Sequence, residues 1–340
     1  MKRSFGCLPD GREATLYTIR FGNMSAQVTD YGATLIRLYV PDEKGELADV
    51  VLGFSDVNGY AADTSFQGAI VGRNANRIGG AHFTLNGTPH QLPKNEGENS
   101  LHSGPDFFCK RFWELARLEE SKITFKLESP HGDQGYPGNA TIYVTYGLEA
   151  GGVLKISYDG FTDQDTVFNF TNHSYFNLAG HQNTAAAMDQ ELIMPTRSYT
   201  VADAQSIPTG EIRSVVGTPM DFRSPKPIGR DIDCDYEALN LQGGYDHNFE
   251  VFAAPAAVLR DPVSGRTMAV VTDCPGIQFY AGNYLAGELG KDGAVYGKRS
   301  GVCLETQYWP DALHHPEWAQ PVTKAGQIYH SETVYRFTAE

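Results

Sequence analysis

The feature that most constrains the fold of this chain is a succession of short segments in which apolar and polar residues alternate. The alternation is found in residues 15–21, 122–128, 140–146 and 153–158, and glycine or asparagine turns separate many such segments. A period of two is typical of strands with one buried face, whereas no long segment shows the period of an amphipathic helix. The pattern therefore predicts an all-β protein, built as a large antiparallel β-sandwich with few short helices.

Length and charge narrow the class of protein further. The chain has 340 residues and no linker-like stretch, which predicts a single domain over residues 1–340. Its formal net charge of −14 argues against nucleic acid or an anionic membrane surface as the main partner. We therefore expect a neutral small molecule as the ligand.

The cysteines and the apolar segments indicate the compartment. Five cysteines are scattered singly, without a CxxC pair, at Cys7, Cys109, Cys234, Cys274 and Cys303. Such a set fits reduced thiols in a cytoplasmic protein better than disulfides or a structural zinc site. No apolar run has membrane-spanning length, and the N-terminal residues lack the apolar core of a signal peptide. A cytoplasmic location is therefore expected.

One histidine follows an aromatic segment that has the composition of a strand. Residues 168–171 combine aromatic and β-branched side chains and lead into His173, which lies between Asn172 and Ser174. A histidine at the end of such a strand can present a proton to a cavity while its polar neighbours fix its orientation. On its own, such a histidine is more often a hydrogen-bonded structural residue.

A second polar segment lies between glycines, directly after an apolar strand. Residues 68–80 include Arg73, Asn74, Asn76 and Arg77. Arginine offers a fixed fork of donors suited to oxygen atoms, and glycine lets a ligand approach the backbone. The alternative is a structural arginine paired with a carboxylate. A phosphate-binding loop is not indicated, because no helix-forming stretch follows.

Three further side chains are candidates for a site. His102 lies in a loop bounded by glycine and proline, and Asp246 follows a glycine pair, where it also suits a turn. Glu305 lies within the apolar and aromatic residues 301–310. Because a charged residue is rarely buried without a partner or a function, Glu305 is the strongest of the three candidates.

Five motifs in this order resemble the aldose 1-epimerase (galactose mutarotase) family. They are GRNANRI at residues 72–78, LHSG at 101–104, TNHSYFNL at 171–178, YDHNF at 245–249 and LETQ at 304–307. The resemblance covers essentially the whole chain. It implies a β-supersandwich, no metal or organic cofactor, and interconversion of the α and β anomers of free aldohexoses such as galactose and glucose by a monomer or homodimer.

The resemblance also implies roles for individual residues. It makes Glu305 the general base, His173 the general acid and His102 a second histidine at the reacting end of the sugar. The side chains implied to bind hydroxyl groups are Arg73, Asn74, Asp246 and Gln278. Two positions depart from the family pattern: Ser103 replaces a second glycine, and Asn74 follows the arginine where larger or apolar residues are common.

These residue types suit the chemistry of mutarotation. Opening the hemiacetal ring requires one group to remove the anomeric hydroxyl proton while another protonates the ring oxygen, and ring closure reverses the two roles. The apolar neighbours of Glu305 are expected to raise its pKa toward the working pH. Trp309 and Tyr175 are candidate platforms for the sugar, although both also suit a core.

Three alternatives remain open from the sequence. A hexose-phosphate epimerase on the same fold would favour clustered basic side chains around the site. A metal-dependent β-sandwich enzyme would use ligands of types suited to a divalent transition metal, namely His102, His173, His247 and Glu305. A non-catalytic carbohydrate-binding module would need aromatic platforms and Asp246, but would have no use for a buried glutamate facing histidines.

Overall fold

The computed structural model describes all residues from 1 to 340 and consists mainly of short strands. The first fourteen are β1 (Lys2–Cys7), β2 (Glu13–Phe21), β3 (Met24–Thr29), β4 (Leu35–Pro41), β5 (Leu47–Asp49), β6 (Ala69–Val71), β7 (Arg77–Ile78), β8 (His82–Leu85), β9 (Thr88–Gln91), β10 (Ser100–Leu101), β11 (Glu114–Leu118), β12 (Lys122–Ser129), β13 (Ala140–Glu149) and β14 (Val153–Thr162). The others are β15 (Thr166–Val167), β16 (Thr171–His173), β17 (Tyr175–Phe176), β18 (Glu191–Ile193), β19 (Ser198–Ala202), β20 (Pro208–Ser214), β21 (Lys226–Pro227), β22 (Asp246–Glu250), β23 (Ala257–Arg260), β24 (Arg266–Thr272), β25 (Gly276–Tyr280), β26 (Glu288–Leu289), β27 (Val295–Tyr296), β28 (Val302–Gln307), β29 (Val322–Thr323) and β30 (Ile328–Ala339).

Helices are few and short. The two α-helices are α1 (Val57–Ala62) and α2 (Glu237–Gln242). Short 3-10 turns lie at Gly79–Ala81, Phe108–Lys110, Asp133–Gly135, Thr184–Met188, Ile228–Arg230, Lys291–Gly293 and Ala312–His314. No helix combines the length and the apolar character needed to cross a bilayer.

Three antiparallel sheets contain most of the strands. The largest has nine strands in the order β11-β12-β13-β14-β30-β24-β23-β18-β21. A six-stranded sheet has the order β17-β28-β25-β22-β19-β20, and a five-stranded meander runs from β1 to β5. The predicted all-β antiparallel fold with few short helices is confirmed.

The long hairpin of β13 and β14 shows how the sequence pattern produces this architecture. Ile142, Val144 and Tyr146 are buried, while the residues between them are partly exposed. The strands are joined through Gly151 and Gly152, whose φ angles of +81° and +73° suit glycine. Alternation thus directs one face of the sheet to the core, and the turn fixes the register.

All three large sheets contribute to one main core of 55 buried residues. From the six-stranded sheet, Phe279, Val302 and Leu304 enter this core. Because neighbouring residues along a strand point to opposite faces, the residues between them face away from the core. The six-stranded sheet therefore has one apolar face and one face available for a site.

One segment with the composition of a strand pairs only through a bridge. Residues 168–170 pair through a parallel bridge from Asn169 to Asn74. Phe168 and Phe170 are fully buried, as the aromatic pattern indicated. Aromatic and β-branched composition predicts burial. A segment that passes between sheets has no neighbouring strand along its length, so it forms no ladder of backbone hydrogen bonds.

Candidate active site

The outward face of the six-stranded sheet forms the floor of the site. Glu305 on β28 lies opposite Gln278 on β25, and Gln278 lies opposite Asn248 on β22. Asp246 lies opposite Tyr280 in the same register. Directly paired residues share a face of the sheet, so these polar side chains form one row, with the apolar core behind them.

Loops and short strands cover this row. His173 ends β16, which pairs with β6, while His102 directly follows β10, which pairs with β7. The resulting cleft has a volume of about 710 Å³. Among its lining residues are the polar side chains Asn76, Arg77, His102, His173, Asp246 and Glu305. The structure thus brings together residues that are far apart in sequence.

His173 and Glu305 form a buried imidazole–carboxyl pair in the cleft. The Nε2 atom of His173 lies 3.7 Å from Oε1 of Glu305, and their side chains are only 7% and 2% exposed. Burial lowers the pKa of His173 to about 4. Burial also raises the pKa of Glu305 well above its usual value, and the nearby Asp246 carboxylate adds to that rise. The pair therefore holds a single proton over a wide pH range, because adding a second proton or losing the first is unfavourable.

His102 presents its second nitrogen to the same place. Its Nδ1 accepts a hydrogen bond of 3.0 Å from the backbone N–H of Asn76, which leaves the proton of the neutral ring on Nε2. The rings of His102 and His173 are 5.6 Å apart and nearly perpendicular. Burial, with His173 adding to it, keeps the pKa of His102 well below its usual value. A neutral His102 can thus donate a hydrogen bond into the cleft.

Ser103, one of the two departures from the family pattern, anchors the His102 loop. Its Oγ accepts a hydrogen bond from the backbone N–H of Asn74 at 2.9 Å and donates one to the Asn74 carbonyl at 3.0 Å. The same hydroxyl lies 3.0 Å from the Tyr136 hydroxyl. His102 and Ser103 both have positive φ, at +53° and +59°. The serine thus supplies fixed contacts at a position whose backbone conformation favours glycine.

Asp246, Gln278 and Arg77 form the polar wall of the cleft. Nε2 of Gln278 donates a 2.7 Å hydrogen bond to Asp246. Arg77 donates to both carboxylate oxygens of Glu96, at 2.7 and 2.8 Å, through Nε and Nη2. Its Nη1 donors have no protein partner and are free for a ligand. Buried carboxylate, amide and guanidinium groups of this kind suit a molecule with several hydroxyl groups.

The structure does not bring Arg73 or Asn74 to the cleft. Arg73 is fully buried, and its guanidinium donates to Ser129, Thr166 and the carbonyls of Ser129, Pro130 and Pro137. All five donors are therefore used inside the protein. The Asn74 side chain binds the Ala75 carbonyl and the Asn169 amide. The residues of this segment that line the cleft are instead Asn76 and Arg77.

Two other sequence candidates lie away from the cleft. His247 points to the opposite face of β22, where it packs edge-on against Tyr199 with ring centroids 5.7 Å apart. Trp309 donates a hydrogen bond to the Pro275 carbonyl and packs against Trp318. Tyr175 does line the cleft, together with Phe66, Tyr280 and Tyr284. The sequence pattern does not single out these last three residues, because only the sheet register and the path of the loops distinguish them from core aromatics.

Three side chains of the cleft are of types that bind metal ions. Ligand-type atoms of His102, His173 and Glu305 lie within 4.8 Å of one another. Zinc bonds to nitrogen and oxygen are about 2.0–2.2 Å long, so tetrahedral ligand atoms lie about 3.3–3.6 Å apart. The three residue types fit such an ion, but their spacing is wider than a formed site requires.

A β-sandwich that encloses a buried carboxyl–imidazole pair beside a polar wall has the groups that an enzyme acting on a small polar molecule needs. Comparisons with known proteins agree. The family model for aldose 1-epimerase matches residues 15–336. The chain is 41% identical to galactose mutarotase from Mus musculus, over 98% of this chain and 97% of that protein. It is 39% identical to aldose 1-epimerase from Haemophilus influenzae, over 97% of each chain.

Solved structures lead to the same result. The GalM/aldose epimerase homologue from C. elegans superposes with a TM-score of 0.88 at 29% identity, covering 95% of this chain and 98% of that chain. The chain belongs to the aldose 1-epimerase family. The predictions of the family and of an epimerase acting on carbohydrates are therefore confirmed.

Proposed function

We propose that this protein interconverts the α and β anomers of free aldohexoses, with Glu305 as general base and His173 as general acid. The observation that carries the proposal is the 3.7 Å contact between these two buried groups in the cleft. An acid and a base this close can act on the anomeric hydroxyl and the ring oxygen of one sugar ring. Galactose and glucose are the proposed substrates.

The reaction begins with proton movement at C1 and the ring oxygen. Glu305 removes the anomeric hydroxyl proton while His173 protonates the ring oxygen, and the ring opens to the aldehyde. Rotation about C1–C2 exposes the other face of the carbonyl. Ring closure then returns both protons in the reverse direction, so the enzyme ends in its starting state.

Bound sugar also sets the charges of the two groups. In the empty cleft, burial favours the neutral forms of Glu305 and His173. Arg77 opposes this effect, because its positive charge favours the Glu305 carboxylate. Sugar hydroxyls that donate to the carboxylate add to this stabilisation and move the shared proton to His173. The complex thereby acquires the ionised base and the protonated acid that ring opening requires.

The sugar must be held away from its reacting end, because C1 has to rotate while bound. Asn76, Arg77, Asp246 and Gln278 line one side of the cleft and offer both donors and acceptors for remote hydroxyl groups. His102 directs its Nε2–H toward the reacting end, where it can stabilise an oxygen. We assign the substrate-binding role expected for Arg73 and Asn74 to Arg77 and Asn76.

Charge favours a free sugar over a sugar phosphate. Arg77 is the one lysine or arginine that lines the cleft, and Glu96 already binds it in a bidentate pair. The acidic lining residues outnumber it: Glu96, Glu98, Asp246, Glu288 and Glu305. A phosphate dianion would enter a region of its own sign, which costs free energy without a compensating cation.

A metal-dependent enzyme is the second candidate, because three ligand-type side chains converge. His247 belonged to the ligand set considered from sequence, and it lies on the other face of the sheet. The remaining three, His102, His173 and Glu305, would have to draw closer to bind an ion. Our proposal needs no ion, since protons alone account for ring opening and closure.

One experiment separates these candidates. Optical rotation is followed after fresh α-D-galactose, α-D-glucose or α-D-glucose 6-phosphate is added to enzyme that has been treated exhaustively with EDTA. We expect rapid equilibration of the free sugars and little acceleration with the phosphate. Loss of activity with EDTA and recovery with a divalent ion would establish the metal candidate. No acceleration with any aldohexose, before or after EDTA, would refute the proposed function.

We also propose that residues 1–340 form one domain in the cytoplasm. The three large sheets share a single core cluster of 55 residues, which gives no boundary for two separate cores. All five cysteines are unpaired, as suits a reducing compartment. We expect either a monomer or a homodimer, and analytical ultracentrifugation would decide between the two.

A further inference from the structure

Strand β28 contacts both nitrogens of the His173 ring. Glu305 and Cys303 are two residues apart and therefore project from the same face of the strand. Oε1 of Glu305 lies 3.7 Å from Nε2, and Sγ of Cys303 lies 3.5 Å from Nδ1. One strand thus carries the proposed base and the neighbour of the opposite ring nitrogen.

The Cys303 thiol is the side-chain partner of Nδ1. Cys303 is fully buried and His173 is 6% exposed, so water does not replace this contact easily. Burial raises the pKa of the Cys303 thiol well above its usual value, and the Glu305 carboxyl adds to that rise. Cys303 therefore remains a thiol, which is both a weak donor and a weak acceptor.

We propose that Cys303 is a positioning residue for His173, which holds Nδ1 as the acceptor of an S–H hydrogen bond so that Nε2 carries the transferable proton. This inference rests on the proposed function for its catalytic meaning. The arrangement parallels that of His102, where the backbone N–H of Asn76 occupies Nδ1. Both histidines thereby direct an Nε2–H group to the cleft.

The choice of a thiol has a chemical consequence. A carboxylate at Nδ1 would stabilise the imidazolium and make it a weaker acid. The Cys303 thiol adds no charge, and it can turn from donor to acceptor when Nδ1 is protonated. The ring is therefore held in place in both protonation states, while the proton on Nε2 leaves readily for the ring oxygen.

The first test needs no substrate. Nitrogen-15 chemical shifts of the His173 ring are measured in the unmodified protein, at a pH where the ring is neutral. We expect Nε2 to be protonated and Nδ1 to be unprotonated. A neutral ring with its proton on Nδ1 would overturn the proposal, whether or not the protein proves to be a mutarotase.

The second test uses variants of the same position. Cys303→Ala removes the partner of Nδ1, so we expect a mixture of ring tautomers and a fall in kcat of about 3- to 10-fold, with KM nearly unchanged. Cys303→Ser keeps a donor and acceptor and should retain the Nε2–H tautomer and most of kcat. Cys274→Ala is the control, because it removes another buried thiol outside the cleft, and it should change neither measurement.

The results separate positioning from packing. Equal losses in Cys303→Ala and Cys303→Ser, with the tautomer of His173 unchanged in both, would show a packing role and overturn the proposal. An unchanged tautomer and kcat in Cys303→Ala would overturn it as well. If the alanine variant does not fold, the tautomer in the unmodified protein and in Cys303→Ser still decides the question.

Discussion

Replacing Glu305 with glutamine tests the proposed base without changing the shape of the side chain. The amide still fills the position 3.7 Å from His173 Nε2, but it cannot take the anomeric proton. A well-placed proton transfer contributes about 10²–10⁴-fold to a rate. We therefore expect kcat to fall by about that factor, equivalent to about 3–5.5 kcal/mol of transition-state stabilisation.

The same substitution should stabilise the fold. Oε2 of Glu305 is buried without a hydrogen-bond partner, and burial raises the pKa of this carboxyl above its unfolded value. The folded state therefore retains a proton that the unfolded state loses, and stability decreases as pH rises above the unfolded pKa. Glutamine has no carboxyl that ionises in the unfolded chain, so at neutral pH the free energy of unfolding should increase by about 1–2 kcal/mol.

Polarimetry from fresh α-D-galactose gives kcat, and urea unfolding at neutral pH gives the stability change. Glu250→Gln is the matched control: this glutamate lies on β22 of the same sheet, outside the cleft, and binds Ser198. It should change kcat by less than about twofold, because removing one peripheral charge has small effects. A kcat within tenfold of the original in Glu305→Gln would refute the base assignment, and a less stable variant would refute the argument from burial.

Three further predictions follow from the site. Arg77→Ala should raise KM about tenfold with a smaller effect on kcat, because one charged hydrogen bond to a hydroxyl is lost; a normal KM would remove Arg77 from the binding role. Arg73→Ala should instead lower the free energy of unfolding by about 3–5 kcal/mol in urea, because three buried carbonyls lose their donor; a stable variant with a raised KM would restore the role predicted from sequence. In pH–rate profiles kcat/KM should be level across neutral pH and fall as pH drops through about 4, where the His173 ring of the pair becomes protonated as well. It should fall again only at a pH well above the usual pKa of glutamate. A midpoint near the ordinary pKa of histidine would contradict the assignment of one proton to the His173–Glu305 pair.

Local pattern was sufficient to predict much of the fold. The hairpin of β13 and β14 follows from strict alternation and a glycine turn, and the register of its ten pairs extends that pattern. Residues 168–170 have the composition of a strand but do not form one, because they are buried while crossing between sheets. Strand pairing is a property of neighbours, which composition alone does not specify.

The site was predictable by residue type but only partly by position. Glu305 was found because a charged residue in an apolar strand has few structural explanations. Arg73 and Arg77 are four residues apart in a polar segment, and nothing in the segment distinguishes the guanidinium that lines the cleft from the one that enters the core. That choice depends on the path of residues 129–137, whose carbonyls bind Arg73.

The alternation along β28 links the site to the core, because Leu304 packs in the core and Glu305 lines the cleft. A shift of one residue in the register of β28 would place Leu304 in the cleft and the Glu305 carboxylate in the core. Such a shift would therefore disrupt the site and the packing of the core together. The rim of the cleft, including residues 96–99 and 204–206, lies outside the large sheets. Substitutions in these loops can therefore change the lining of the cleft without altering the pairing of β28.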